Sequence, residues 1–214
     1  MHFNGFNKTD FEAMEKGGLS SRMSAIQSLI QPEFSSLADI FVPFLSEIIG
    51  QDFYPHIARH LRRTVNPPDS TWIAFSCDRR SYKKYPHFQF GIWRTHLFFW
   101  LAFIEEYPAK KQLSSELQAH TREIFKQIPE DFAWSGDHMS PTFMSQSEMD
   151  IEDLRQMFIR LGQFKKSELL CGITVPEDDP LAGNGEVLAE YLKQKTEILL
   201  PLYWKGIQSM EKGL

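Results

Sequence analysis

The chain has 214 residues and a formal net charge of -5. Apolar residues make up 42% and charged residues 24%, which is enough apolar side chain for a buried core and excludes a wholly disordered chain. The acidic balance also excludes a generic nucleic-acid coat protein, because non-specific phosphate binding requires an excess of Lys and Arg. Phenylalanine supplies 18 residues, so we expect aromatic rings to fill much of the core.

We expect neither a secretion signal nor a membrane-spanning segment in this protein. Its first residues lack the basic and then apolar pattern of a secretory signal. The longest apolar run, at 97–104, is much shorter than the roughly 20 residues that a membrane-spanning helix needs. Cys77 and Cys171 lie far apart in apolar segments, a pattern typical of buried free thiols. We therefore expect a cytoplasmic protein with no membrane attachment.

The N-terminal part of the chain is predicted to be helical. Thr9 and Glu12 have the spacing of a capping box, which predicts a short helix. Between 20 and 48, apolar residues recur every three or four positions. This periodicity predicts a long helical segment that Pro32 and Pro43 bend or divide.

The segment 55–63 is predicted to form a further helix, because Pro55 suits a first helical turn and the prolines that follow 66 would end it. One face of that helix would be a cationic stripe, formed by His56, Arg59, His60 and Arg63. The spacing of His56 and His60 also fits a pair of metal ligands. Arg59 between them would repel a dication, however, and we predict no metal site here.

The middle of the chain changes to a period of two, which indicates strands. The predicted strands are 71–77, 87–92, 97–104 and 169–175, and the predicted helices of the second half are 113–128, 147–164 and 186–200. Strands clustered between runs of helices favour an α+β class with a mainly antiparallel central sheet flanked by helices. No linker or internal repeat divides the chain, so we predict a single domain over residues 1–214.

Six ordered motifs are distributed over essentially the whole chain. They lie at 62–68, 71–75, 86–96, 132–138, 170–173 and 199–203. Together they resemble the bacterial YktB family of unknown function. The resemblance implies a single α+β fold that is distantly similar to the catalytic domain of biotin and lipoate protein ligases. It implies no reaction, and the Gly-Arg-Gly loop of the biotin ligases is replaced here by Arg62 and Arg63 followed by Thr, Val, Asn and two prolines.

Positive charge is concentrated in one part of the sequence. Residues 56–94 carry a formal charge of +6, and the remaining residues carry -11. This separation predicts a positive potential that attracts phosphate or carboxylate groups. The candidate ligand-binding residues are Arg59, Arg62 and Arg63 for oxyanion contacts, His60 and His87 for hydrogen bonds, and Trp93 as a stacking wall. We therefore expect a binding protein with a cationic, aromatic-backed pocket for a small anionic ligand, such as a nucleotide or a carboxylate.

Two alternatives remain open from the residues alone. Asp137 and His138 lie in a polar loop and would form an acid and base pair in an acyl-transfer or nucleotidyl-transfer enzyme that uses the same pocket. The basic region would also suit an interaction module for an acidic partner or a short nucleic acid, although the acidic C-terminal half disfavours long nucleic acids. The sequence leaves open whether the protein is an enzyme, which cofactors it uses and whether it forms oligomers.

Overall fold

The computed structural model describes residues 2–212. The strands are β1 (Tyr54–Ile57), β2 (Ser70–Ser76), β3 (His87–Trp93), β4 (His96–Phe103), β5 (Ala133–Ser135), β6 (Met144–Ser145) and β7 (Leu169–Pro176). They form one seven-stranded sheet in the order β1-β2-β3-β4-β7-β5-β6. The helices are α1 (Lys8–Ala13), α2 (Leu19–Ala25), α3 (Gln31–Ile49), α4 (Lys110–Ala119), α5 (Thr121–Gln127), α6 (Ile151–Gln163) and α7 (Gly185–Glu211). The predicted α+β class with a mainly antiparallel sheet is confirmed.

The first helix begins earlier than the sequence pattern predicts. Asn7 is the N-cap of α1, and its side-chain oxygen accepts a 2.9 Å hydrogen bond from the backbone N–H of Thr9. The carboxylate of Asp10 accepts a 2.8 Å hydrogen bond from the backbone N–H of Asn7, which completes a capping box. Helix α6 starts in the same way at Asp150 rather than at Ser147.

The predicted long helical segment is confirmed, but it is not divided at Pro32 or Pro43. Helix α2 passes into α3 through a π-helical turn at Ile26–Ile30, ahead of Pro32, and Pro43 stays inside α3. Helix α7 likewise continues through Pro201, where the sequence predicts an end. Beyond that proline, the buried ring of Tyr203 stacks on Phe88 with ring centroids 5.6 Å apart. Packing of this kind outweighs the helix-breaking tendency of proline.

The predicted helix over 55–63 is wrong. Residues Tyr54–Ile57 form strand β1, which pairs antiparallel with β2 so that Tyr54 faces Ser76 and Ile57 faces Ile73. Because β1 is an edge strand, the missing N–H of Pro55 is tolerated. The chain then continues as an irregular loop until β2. Pairing with β2 therefore overrides the local helical pattern.

The chain forms two compact units, and the single-domain organisation stays a prediction. The first unit consists of the residues up to 79 together with 89–99 and 174–194. In this unit, helix α3 covers one face of the sheet through aromatic rings. Phe41 lies 5.5 Å from Phe75 and 5.8 Å from Phe99 between ring centroids, and Phe34 lies 6.1 Å from Phe90.

The second unit consists of 80–88, 100–173 and the residues from 195 onward. Helices α4 and α6 pack against each other, and Trp134 contacts Phe158 of α6 with ring centroids 5.8 Å apart. The buried hydroxyl of Tyr107 donates a 2.7 Å hydrogen bond to the carbonyl oxygen of Gly206 in α7. Within residues 2–212, no helix combines the length and the apolar character that crossing a membrane requires.

Candidate functional site

The loop that follows β1, residues 58–69, carries three of the predicted ligand-binding arginines. Arg59 and Arg62 are exposed and Arg63 is half-buried. The backbone N–H of Arg63 donates a 3.0 Å hydrogen bond to the carbonyl oxygen of His60, which closes a tight turn. His60 has a φ of 51°, and it is the only described non-glycine residue with positive φ. We call residues 58–69 the cationic loop.

His60 attaches the cationic loop to the sheet. Its Nε2 lies 3.1 Å from Oγ1 of Thr71, and its ring meets that of Trp72 edge to face at 5.5 Å. Burial first, and the charge of Arg63 second, lower the pKa of His60 from 6.5 to about 4. The imidazole is therefore neutral at pH 7. Its contacts give His60 a structural function, as the anchor of the loop.

The three arginines of the cationic loop differ from Arg22 and Arg94 of the same unit, whose guanidinium groups are paired. Arg22 donates to the carbonyl oxygen of Pro68 at 2.9 Å, and Arg94 pairs with Glu15 at 3.0 Å. Within residues 2–212, the guanidinium groups of Arg59, Arg62 and Arg63 make no hydrogen bond or ion pair. Their charge is therefore not neutralised locally, and their planar donors can bind an oxyanion.

The sheet of the first unit has a second face, opposite α3. Phe75, Phe90 and Phe99 point toward α3, so the residues that alternate with them point the other way. This second face is formed by Trp72, Ala74, Ser76, Gln89, Gly91, Trp93 and Phe98. It combines aromatic rings with polar groups, and every one of these residues is buried. The predicted site residue Trp93 therefore belongs to it.

Gln89 is the most unusual residue of the second face. Its exposed fraction is 0%, and neither its amide oxygen nor its amide nitrogen has a hydrogen-bond partner in the structure. Each unpaired buried polar atom costs about 1–3 kcal/mol relative to a paired one. Such a group is expected to be satisfied by an ordered water, an ion or a ligand. The sequence predicts a strand at Gln89, but an amide at that position gives no local signal of a site.

His87 lies at the start of β3 and in the second unit. Its Nδ1 is 2.9 Å from the carbonyl oxygen of Tyr85, and its ring meets Tyr82 edge to face at 4.8 Å. The side chain is fully buried. Lys83, which lies in the turn before β3, forms a 2.7 Å ion pair with Glu106, so the charge of this lysine is neutralised.

The predicted pair Asp137 and His138 lies in the loop between β5 and β6. The hydroxyl of Ser135 donates to the carbonyl oxygen of Thr142 at 2.9 Å, and the carboxylate of Asp137 accepts from the backbone N–H of Met139 at 2.7 Å. These bonds give the loop a defined conformation. Asp137 itself is exposed, and its neighbour His138 is half-buried.

Glu168, which the sequence did not single out, is the residue that holds His138. Its Oε2 accepts from Nδ1 of His138 at 2.7 Å and from the backbone N–H of His138 at 2.9 Å. Its Oε1 accepts from the backbone N–H of Glu105 at 3.0 Å. Strand β5 pairs with β7 so that Ser135 faces Leu170, and continuing this register brings Asp137 opposite Glu168. No local pattern could reveal this partner, because it depends on the pairing of two distant strands.

The ionisation state of Glu168 determines which atom carries the hydrogen in its hydrogen bond with the His138 imidazole. Burial alone would raise the pKa of Glu168, but hydrogen bonds from His138 and from the backbone of Glu105 outweigh burial and hold the pKa below 4.5. An ionised carboxylate can only accept, so Nδ1 of His138 carries the hydrogen. Asp137, His138 and Glu168 each offer one potential metal-ligand atom, and these atoms lie within 4.8 Å of one another. The arrangement can orient an imidazole for proton transfer or bind a cation.

The pair His56 and His60 has no such arrangement. Because β1 replaces the predicted helix, the two imidazoles do not share a helical face. Nε2 of His56 lies 2.9 Å from the carbonyl oxygen of Asp78, whereas Nε2 of His60 lies beside Thr71.

Comparison with known proteins reveals an extended similarity. The model of a family described as "Domain of unknown function (DUF1054)" matches residues 6–203. The chain is 41% identical over 198 residues to a UPF0637 protein of Bacillus velezensis, covering 92% of this chain and 94% of that protein. A UPF0637 protein of Bacillus thuringiensis is 41% identical over 199 residues, which is 92% of this chain and 95% of that protein. The predicted resemblance to an uncharacterised bacterial family is thereby confirmed.

Proposed function

The chain belongs to the DUF1054 family, whose description assigns no activity, and from its own geometry we propose that it is a binding protein for a small anionic ligand. The ligand would lie on the second face of the sheet. Gln89 would supply hydrogen bonds there, and the arginines of the cationic loop would supply charge.

The buried amide of Gln89 carries this proposal. A glutamine that is fully buried with both polar atoms unpaired lowers stability, and an apolar residue of similar size would avoid this cost. The amide both donates and accepts, which suits the edge of a nucleotide base or a carboxylate. A ligand that pairs with it would offset the loss of hydrogen bonds to water.

The surroundings of Gln89 favour a ligand with a planar apolar part. Trp93 and Phe98 lie on the same face, and the ring of Phe98 covers Gly91, where an added Cβ would lie 2.3 Å from Cζ. Aromatic rings of this kind stack on bases and on other flat groups. Together with the Gln89 amide, these rings combine apolar surface with one polar group, a combination that is typical of small-molecule binding sites.

The charge of the cationic loop favours an anionic ligand. Its three unpaired guanidinium groups can each form two parallel hydrogen bonds to a phosphate or a carboxylate. The loop is attached to Trp72, a residue of the second face, through the ring contact with His60. This attachment supports one recognition surface that combines the loop and the face.

Thermal unfolding in the presence of candidate ligands tests the proposal. We expect at least one member of a panel of nucleotides, acyl phosphates and organic acids at millimolar concentration to raise Tm by several degrees. The double variant Arg59→Gln/Arg62→Gln should lose most of that shift. Arg94→Gln, which removes an arginine already paired with Glu15, is the matched control and should keep it.

Two results would contradict this function. One is a panel that leaves Tm unchanged throughout. The other is a ligand shift that Arg94→Gln reduces as much as the double variant does, because the effect would then come from net charge rather than from the cationic loop.

A further inference from the structure

We propose that Asp137, His138 and Glu168 form a binding site for one divalent transition-metal ion, of the Zn²⁺ or Co²⁺ type. None of these residues takes part in the ligand site proposed above, and the inference does not depend on it. The site lies entirely within the second unit, where the loop between β5 and β6 meets the start of β7.

The donor set is mixed and is held in place. One imidazole and two carboxylates offer ligand atoms within 4.8 Å of one another. The Glu168 side chain is only 7% exposed and that of His138 is 17% exposed, so both are held by their surroundings. Backbone N–H groups of Glu105 and His138 donate to the two oxygens of Glu168 and orient its carboxylate. In metal sites, hydrogen bonds from groups that do not themselves bind the metal orient the ligand side chains in this way.

The hydrogen bond between His138 and Glu168 marks where the ion would bind. Nδ1 and Oε2 lie 2.7 Å apart with one hydrogen between them. When the ion binds, the hydrogen of the neutral imidazole moves from Nδ1 to Nε2. The Nδ1–H bond breaks, an Nε2–H bond forms, and the lone pair of Nδ1 binds the metal ion. No oxidant or reductant is required. Ligand atoms that lie about 2.0–2.2 Å from zinc are more than 2.7 Å apart, so Nδ1 and Oε2 must separate slightly when the ion binds.

Asp137 would complete the set from the solvent side. One of its carboxylate oxygens, Oδ1, accepts a 2.7 Å hydrogen bond from the backbone N–H of Met139, and this bond orients the second oxygen. The residue is exposed, so an ion bound here keeps a coordination position for water. Three protein ligands with an open position are typical of reactive rather than purely structural metal sites.

The charges around the three ligands favour a cation. The carboxylate of Glu106 interacts electrostatically with His138, and the ammonium group of Lys110 interacts with Glu168. Lys83 pairs with Glu106, and Lys110 donates to the carbonyl oxygens of Lys165 and Ser167. The two ligand carboxylates, Asp137 and Glu168, carry a charge of -2 beside a neutral imidazole, which a dication would neutralise. The imidazole favours zinc-like ions over Mg²⁺, which prefers oxygen ligands only.

Titration of the metal-free 214-residue chain with ZnCl₂, measured by calorimetry, tests the site. Absorption of bound Co²⁺ in the visible range provides a spectroscopic check. We expect one ion per chain. His138→Asn and Asp137→Asn should each weaken binding by about tenfold or more. Asp137 is exposed, so its variant should fold even if the His138 variant does not.

His120→Asn is the matched control. His120 also faces a glutamate in the same unit, with Nδ1 3.3 Å from Glu116, but Lys205 and Lys212 already bind that carboxylate. Its removal should leave the titration unchanged. The absence of binding to the wild type at millimolar zinc, or equal binding by the wild type and Asp137→Asn, would overturn the proposal. Either result would leave the anionic-ligand function standing, because that function is measured through Gln89 and the cationic loop.

Discussion

The indole Nε1 of Trp134 donates a 2.7 Å hydrogen bond to Oε1 of Gln146, and both side chains are buried. The amide nitrogen of Gln146 in turn donates to the carbonyl oxygen of Phe125 at 3.0 Å. Gln146 is thus a buried glutamine with partners for both polar atoms, in contrast to Gln89. The two residues allow a direct comparison of what a buried amide does for stability.

We expect opposite effects from replacing these two glutamines by leucine. Gln146→Leu leaves the indole N–H of Trp134 without its partner and should lower the free energy of unfolding by about 1–3 kcal/mol. Gln89→Leu removes two unpaired atoms and should leave the ligand-free protein equally stable or more stable, while it abolishes the ligand-induced shift of Tm. Urea unfolding of both variants measures the difference. A loss of stability in Gln89→Leu as large as that in Gln146→Leu would show that the Gln89 amide is paired within the protein in solution.

Stability should fall in mildly acidic solution because of two histidines. Burial first, and for His60 the charge of Arg63 second, lower the pKa values of His60 and His96 from 6.5 to about 4. The unfolded chain therefore takes up these protons below pH 6.5, whereas the folded protein does so only near pH 4. The contribution of the two histidines to the free energy of unfolding is therefore fully present above pH 6.5. It is lost as the pH falls toward 4, by up to about 1.4 kcal/mol per pH unit for each histidine.

The variant His96→Gln isolates one of these contributions. Its unfolding free energy, measured by urea titration between pH 4 and pH 7, should depend less steeply on pH than that of the wild type. Parallel curves for the two proteins would contradict the assignment.

Gly91→Ala should be strongly destabilising. A Cβ at this position would lie 2.3 Å from Cζ of Phe98 and 2.6 Å from the carbonyl oxygen of Thr71, and the backbone atom cannot move without disturbing the sheet. We expect a loss of about 1–3 kcal/mol or more in the free energy of unfolding. Gly17→Ala is the control, because nothing lies within 4 Å of the added carbon there. Similar Tm values for the two variants would show that the second face has space to accommodate a methyl group.

Lys110 should contribute to stability through its head group. Its Nζ donates to the carbonyl oxygens of Lys165 and Ser167 at 2.6 and 2.7 Å, and so fixes the segment that carries Glu168. Lys110→Met keeps most of the apolar stem but leaves both carbonyl groups without this donor, and should cost about 1–3 kcal/mol. Thermal unfolding measures the loss against Lys111→Met, whose lysine is exposed. Equal Tm values for the two variants would show that water replaces the Lys110 head group without cost.

Part of the candidate site could be predicted from residue types alone. Local charge predicts the arginines after Pro55 as candidates, and positions on a strand and in a polar loop predict Trp93 and His138. Gln89 and Glu168 were not identified. An amide on a strand has no special pattern, and Glu168 becomes the partner of His138 only because β5 pairs with β7. The prediction of a helix around His60 failed for a related reason, since β1 is stabilised by β2 rather than by its own sequence.

The sequence by itself determined the α+β class, the long helical segment, the strands β2, β3, β4 and β7, and family membership. These features follow from periodicity and from ordered motifs, which act over a few residues and need no knowledge of distant contacts. Only the tertiary structure decided that β1 is a strand and that α7 continues through Pro201. It also decided which side chains are left without partners and which carboxylate holds His138. Hydrogen-bond satisfaction and strand pairing depend on residues far apart in the chain, so local patterns cannot specify them.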